Sequence, residues 1–517
     1  HQWFGDMITT RNWANIWLNE GFATFFSRLY LTKDRGNDEG DYIRLGEIRS
    51  FKRADKNKRR PTVDFVYDEP FELFSSHVYA KGSLILTMLR DVIGEEGFWR
   101  SIRNYTNENK LKNVETSDLK KIIEMTTGQN LDWFFKQWLY EPGFPNYDVS
   151  WNYNQRKKEL SIHVKQTQDL KTTSLFKMPI KIIVDNGEKK EHVIWVDNLD
   201  SVYKIKSDKR PKMVIFNSGQ RVPSNLKMQK SVADLKYQLQ NASNALDRIW
   251  SAKELSKKKG RKVVEYALVE AAKNDPFWAV RSEAYSALGR LKTNIVSEDI
   301  DWVKRKEIDN RVKRSFIRIL KNQKNNLEAS KFLEDIIISD TSYYAISEAI
   351  RTLAIVDSAK AKLHVDKLLN TESHNDVIRK STLSYFSQVQ TTSNYMRLKE
   401  LAKYGNFSWP SRPTIIYELS KYQKKRPSTF DFILSFFDDN DRFVRMAVIA
   451  QVGNYGSESN YSLLDIMVEK DPVLSINASR AKSKIENRKN STSKRSDSKT
   501  VEVLDKKLKA IKNILND

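Results

Sequence analysis

"HQWFGDMITTRNWANIWLNEGFA", residues 1–23, opens the chain on a histidine with no initiator methionine, followed at once by aromatic and apolar residues. A free N-terminus is usually polar and loosely held. This one reads as the interior of a helical region, so the chain is expected to start inside an element. "ANIWLNEGFATFFSRLYLT" carries large apolar side chains at helical spacing, which places Glu20 on a helix. Eighteen residues separate His1 from Glu20.

Working outward, the helical period continues to about residue 145. "AKGSLILTMLRDVIG" stops at Gly94, a C-cap candidate, and "TSDLKKIIEMTTG" (116–128) starts on a capping Thr or Ser and closes on Gly128. "LDWFFKQWLYEPGFPNYDV" then ends in Pro142, Gly143 and Pro145, which forbid further helix. From Tyr147 the period becomes two. "ELSIHVKQ" alternates Leu160, Ile162 and Val164 against Ser161, His163 and Lys165, and Asn186-Gly187 sits between two β-rich runs as a hairpin turn. About six short strands are expected within 70 residues, a small β-sandwich over 146–225.

Past residue 226 the chain is helical and repetitive. Arg248, Arg281, Arg314, Arg379, Arg412 and Arg445 fall at steps of 33, 33, 65, 33 and 33 residues, with "YAISEAIRTL" around Ser347 filling the double step. A fixed period in the thirties predicts a HEAT-like α-solenoid over 226–485, its arginines bracing turns between repeats rather than meeting a ligand. "NRKNSTSKRSDSKT" (487–500) is low in complexity, and Val501, Leu504, Leu508, Ile511 and Leu515 then share a helix face. Residues 486–517 are therefore expected to be a disordered linker and a short amphipathic helix. The overall expectation is a multidomain, mainly α chain.

Composition narrows the function classes. A chain of 517 residues exceeds one core, and three or more domains follow. It contains no cysteine, which excludes disulfides and thiolate metal sites and suits a cytoplasmic location. No apolar run approaches a membrane span; "LILTML" (84–89) is far too short. The net charge is +23, with local clusters in "FKRADKNKRR" (51–60) and "KKKGRK" (257–262). No nucleic-acid motif accompanies them, so they read as solvated surface and no specific nucleic-acid partner is expected.

Zinc hydrolases of the H-E-x-x-H class set two histidines one turn apart on a helix, with a general-base Glu between them and a third ligand on a neighbouring helix. "HQWFGD", then eighteen residues, then Glu20 in "WLNEGFA", resembles the aminopeptidase N family of gluzincin metallopeptidases from the second motif His onward. "SSHVYAKGSLILTML" resembles the family's Y-x-K-G segment, with Tyr79, Lys81 and Gly82 in place, and Leu131 to Val149 resembles the end of its thermolysin-like domain. The resemblance implies that 1–145 is the C-terminal part of that catalytic domain. It implies one Zn2+ bound by His1 and Glu20, Tyr79 as a catalytic oxyanion donor, and peptides with a free N-terminus as substrates. The implied activity is that of a zinc-dependent aminopeptidase. The alternatives are a non-catalytic scaffold using its helical repeats, and a lipid-epoxide hydrolase.

On this reading the chain begins at the second zinc His, without the first His, the general-base Glu and the family's G-x-M-E-N segment. It is then expected to lack peptidase activity alone, to leave the His1 ring poorly fixed, and to loosen packing around Trp3 and Phe4 with apolar surface exposed. His77 is expected to pack near the site rather than to ligate. His163 and His192 fall in strands, and His364 and His374 among the repeats.

Overall fold

The computed structural model describes residues 1–407 and 409–490. It is mainly helical with small sheets, and it divides into two compact units, His1–Thr293 and Asn294–Asp517.

The first unit begins with a short strand, β1 (Ile8–Thr10). The helices α1 (Trp17–Arg35), α2 (Asn37–Asn57), α3 (Ala80–Ile93) and α4 (Glu95–Asn109) follow, then β2 (Lys112–Val114), α5 (Thr116–Thr127) and α6 (Asp132–Phe135). β1 and β2 pair in parallel, Ile8 opposite Lys112 and Thr10 opposite Val114. Residues 1–7 are turns, not the expected helix. Asp6, Met7 and Ile8 N–H groups reach back five residues to His1, Gln2 and Trp3 carbonyls, and Gly5 sits at φ +121°, where a right-handed helix cannot continue. The start of α5 also differs from expectation. Its N-cap is Glu115, whose N–H bonds Asp118 Oδ2 at 2.8 Å, while Thr116 turns its hydroxyl to Asn15 Oδ1.

Seven further strands run from β3 (Asn146–Asn154) through β4 (Glu159–Gln166), β5 (Met178–Asp185), β6 (Lys189–Val196), β7 (Asp200–Lys206) and β8 (Met213–Phe216) to β9 (Asn225–Met228). They form a four-stranded sheet ordered β7-β4-β3-β9 and a three-stranded sheet ordered β6-β5-β8. Only β3 and β9 pair in parallel within these two sheets. Leu160, Ile162 and Val164 on β4 and Ile180, Ile182 and Val184 on β5 are buried. They join Trp17, Phe22, Phe25 and Trp138 in one apolar cluster, so the two sheets share a core with the preceding helices.

The unit closes with α7 (Val232–Asn241), α8 (Ala245–Leu255), α9 (Lys262–Asn274) and α10 (Trp278–Leu291). α2 is their anchor. The Asn244 amide donates to Asp41 at 2.6 Å, Arg44 donates to the Gly219 carbonyl at 2.5 Å, and the Trp278 indole donates to Glu39 at 2.8 Å.

The second unit, as described, is a succession of helices from Ser297–Lys306 to Tyr461–Lys470 and a last one over 475–490. Arginine recurrence has a structural counterpart in both units. Arg248 pairs with Asp275 in the first (2.7 Å); in the second, Arg412 pairs with Asp439 and Arg445 with Asp471, both at 2.5 Å. Lys313 makes the same bond to Asp340. Each cation reaches an aspartate 26–27 residues on. Three of the six spaced arginines, Arg248, Arg412 and Arg445, thus share one bracing contact, whereas Arg379 pairs with Asp376 three residues back. One expectation is corrected: residues 486–490, placed in a disordered linker, continue the last helix. Arg488 there donates to the carbonyls of Gly453 and Gly456, satisfying the end of an earlier helix. The amphipathic segment through Leu515 lies outside the described residues.

Candidate active site

His1, Glu20 and Tyr79 come from three separate places and meet. Glu20 lies in the first turn of α1, Tyr79 is the N-cap residue of α3, and His1 precedes both in the opening turns. α1 and α3 cross at a pair of glycines directly after these residues' motifs, Gly21 and Gly82. A Cβ on Gly82 would stand 2.8 Å from the Gly21 Cα, and one on Gly21 would stand 2.9 Å from the Gly82 Cα. No side chain fits there. The backbones therefore touch, and that contact brings the Glu20 carboxylate and the Tyr79 hydroxyl close enough to interact electrostatically. A glycine inside a helix costs roughly 1 kcal/mol relative to Ala, so two of them call for a packing reason. This crossing is that reason.

The His1 ring is held on both sides, contrary to expectation. The Phe4 carbonyl lies 3.0 Å from Nδ1. A carbonyl can only accept, so Nδ1 carries the proton and Nε2 presents its lone pair. Gly5 makes this wrap possible, because a Cβ there would lie 2.8 Å from Nδ1. Nε2 faces Glu20 Oε2 at 3.1 Å, with Glu20 buried and His1 half exposed. Two acceptors at that distance are stable only with a cation or a further proton between them.

These two donors fit zinc by chemistry and spacing. Ligands about 2.0–2.1 Å from one tetrahedral ion stand roughly 3.3 Å apart. A ring N–H donated to a backbone carbonyl is also how metal-bound histidines are oriented. The set is incomplete by itself: no group of three His, Cys, Asp or Glu able to hold a metal occurs among the described residues.

Burial raises the Glu20 carboxyl above its ordinary range, opposed by the Tyr79 hydroxyl. Burial, then the Glu20 charge, pushes the Tyr79 phenol up to about 12, so it remains a proton-bearing donor at neutral pH. Phe74 stands beside Tyr79 with ring centroids 6.4 Å apart, and Trp13 beside Phe74 at 6.0 Å, an aromatic wall leading away from the hydroxyl. On the other side of His1 an apolar cavity of about 730 Å³ is lined by Trp3, Phe4, Phe26, Trp99 and Ile102. Trp3 is exposed, whereas Phe4 is buried and well packed, stacked on Phe22 at 4.4 Å and Phe26 at 5.3 Å, contrary to the expected loosening there.

A polar cluster under Tyr79 went unread in the sequence. Lys81 is fully buried, its ammonium 5.3 Å over the Phe51 ring. His77 and Asp55, equally buried, face each other at 3.6 Å, so His77 packs and does not ligate. Burial holds the Lys81 pKa down to about 7, against a smaller opposing effect of Asp55. Between pH 7 and 10.5 the unfolded chain thus binds more protons than the folded one, and this group's contribution to stability rises with pH across that window. Lys81→Met keeps the aliphatic stem and removes the charge, while Arg59 stays 3.1 Å from Asp55. The variant is expected to melt higher than the parent at pH 7, with the difference shrinking towards pH 10. Paired thermal melts across that range check it; a pH-independent difference contradicts the assignment.

Residues 1–138 match the model of the peptidase family M1 domain. Tricorn protease-interacting factor F2 of Thermoplasma acidophilum is 36% identical over 152 residues, which is 28% of this chain and 19% of that protein. Aminopeptidase N of Lactobacillus delbrueckii subsp. lactis is 30% identical over 152 residues, 28% of this chain and 18% of that protein. A crystal structure of Legionella pneumophila aminopeptidase A in complex with aspartic acid shares the fold, with a TM-score of 0.69 and 17% identity. That match covers 94% of this chain and 64% of the other. The similarity to peptidase family M1 and to these aminopeptidases thus lies in the N-terminal part of the chain, about a quarter of its length. The aligned part spans about a fifth of the length of curated relatives such as these.

Proposed function

We propose that this chain supplies two zinc ligands, His1 and Glu20, and an oxyanion donor, Tyr79, to a metalloaminopeptidase that releases N-terminal residues from peptides. The observation that carries the reading is the meeting of His1 Nε2, the Glu20 carboxylate and the Tyr79 hydroxyl at one point. Zinc bound there would supply Lewis-acid polarisation of the scissile carbonyl and the attacking water. In a protein that carries the motif's H-E pair ahead of His1, that pair provides the third ligand and the general base. The residues of this chain then do three things. Phe4 and Gly5 fix the His1 tautomer, Glu20 balances the charge of the ion, and Tyr79 donates to the oxygen that becomes negative as the carbonyl turns tetrahedral. One such donor contributes roughly 3–4 kcal/mol.

Around this centre the proposed architecture is a thermolysin-like remainder (1–145), a β-sandwich (146–225) and a HEAT-like helical repeat domain (226–485). Shared burial of the two sheets supports the second, and the recurring Arg–Asp braces support the third. No helix among the described residues is long and apolar enough to cross a membrane. A chain without cysteine suits a reducing compartment, and the cytoplasm is the proposed location.

Peptides differing only at the N-terminus test the function. A protein with the complete motif is expected to cleave an aminoacyl p-nitroanilide and to leave its N-acetylated form intact. Equal cleavage of both would rule out an aminopeptidase.

A further inference from the structure

The basic run 257–262 has no part in the site described so far, yet it borders a cavity. Just after α8, Lys257 and Lys258 line a hollow of about 230 Å³, together with Lys227 of β9, Lys230, Met228 and Glu254. That volume is several times the ~30 Å³ share of one water molecule. Four lysines and one glutamate thus line it.

The partners of these lysines leave a positive excess. Lys257 bonds Glu254 at 2.6 Å and Lys227 bonds Asp148 at 2.5 Å. Lys230 is buried and donates only to neutral oxygens, the Val214 carbonyl at 2.5 Å and the Gln238 amide, with Asp247 and Asp234 acting on it from farther off. Lys253, one helical turn before Lys257, repels Lys52, which is itself tied to the Ser224 carbonyl at 2.9 Å. Burial and that repulsion together hold the Lys52 pKa down to about 8. Like charges gathered at a concave, partly dry site raise the local potential and concentrate counter-ions of the opposite sign.

We propose that this cavity binds a small phosphorylated anion, held by Lys227, Lys257 and Lys258 with Lys230 as its buried wall. Phosphate oxygens suit ammonium groups that approach from several directions as point charges. The hollow is compact and lies between β9 and the end of α8, whereas a nucleic-acid track is an extended basic groove with aromatic platforms. The proposal is independent of the peptidase reading.

Calorimetric titration of the 517-residue chain with inorganic diphosphate tests it. Saturable one-site binding is expected, weakening as salt is raised. Lys257→Ala with Lys258→Ala should lower the affinity at least about tenfold with unchanged melting, since each removes a charge-assisted contact to the anion. Lys204→Ala with Lys206→Ala, on exposed positions of β7, should leave it unchanged. Absence of saturable binding overturns the proposal. So does an equal loss from both lysine pairs, which would mean bulk charge, or a short DNA duplex that binds these lysines without competition from diphosphate.

Discussion

Tyr79→Phe is expected to lower kcat by roughly two to three orders of magnitude with little change in KM, in a protein that carries the complete zinc motif. The ring stays, and with it the packing against Phe74. Only the hydroxyl is lost, and on the proposed reading that hydroxyl serves the oxyanion, which exists in the transition state but not in the bound substrate. A loss confined to kcat is the signature of such a group. Tyr79 is not a ligand in this account, so zinc content should be unchanged in the variant. Near-normal turnover would remove Tyr79 from the mechanism.

Glu20→Ala should have the larger effect on the metal. On the proposed reading it deletes a zinc ligand, and it removes the carboxylate that faces His1 Nε2 at 3.1 Å. Loss of a mere outer hydrogen-bond partner weakens metal binding by about 10–100-fold; loss of a ligand should cost more, so that zinc no longer survives dialysis at one per chain. Glu20→Gln keeps the shape and tests whether charge or packing is responsible, because its amide can still meet the Tyr79 hydroxyl. Elemental analysis checks both variants alongside thermal melts. Stoichiometric zinc in Glu20→Ala would mean that the carboxylate is not a ligand.

The parts of this chain that could be read in advance are those where a local pattern has one physical meaning. Asn186-Gly187 between β-rich runs is the turn joining β5 and β6, with Gly187 at φ +116°. Alternation in "ELSIHVKQ" became the buried row Leu160, Ile162 and Val164. The arginine period announced its braces because the same turn chemistry recurs every thirty-odd residues. His1, Glu20 and Tyr79 were readable as a set only through resemblance, since no spacing rule brings residue 79 to residue 20.

What could not be read depended on contacts between elements. Residues 1–7 have helical composition, but Gly5 ends any helix there and redirects the backbone around His1. The meeting of Gly21 with Gly82 is visible only once α1 and α3 are crossed, although a glycine after each motif residue was its trace in the sequence. Lys81 was legible only as part of the Y-x-K-G segment; its full burial, with the ammonium over Phe51, depends on how α3 packs. The linker predicted from 486 failed at its first residues for a related reason: Arg488 caps a helix end more than thirty residues earlier.

The central claim is that His1 and Glu20 hold the same ion. Diffraction at the zinc edge from zinc-soaked crystals locates that ion without reference to activity. The account predicts an anomalous peak about 2.0–2.2 Å from both His1 Nε2 and a Glu20 carboxylate oxygen, with the Tyr79 side chain facing it. Zinc bound to His1 with Glu20 turned away, or zinc found only at other residues, would contradict it.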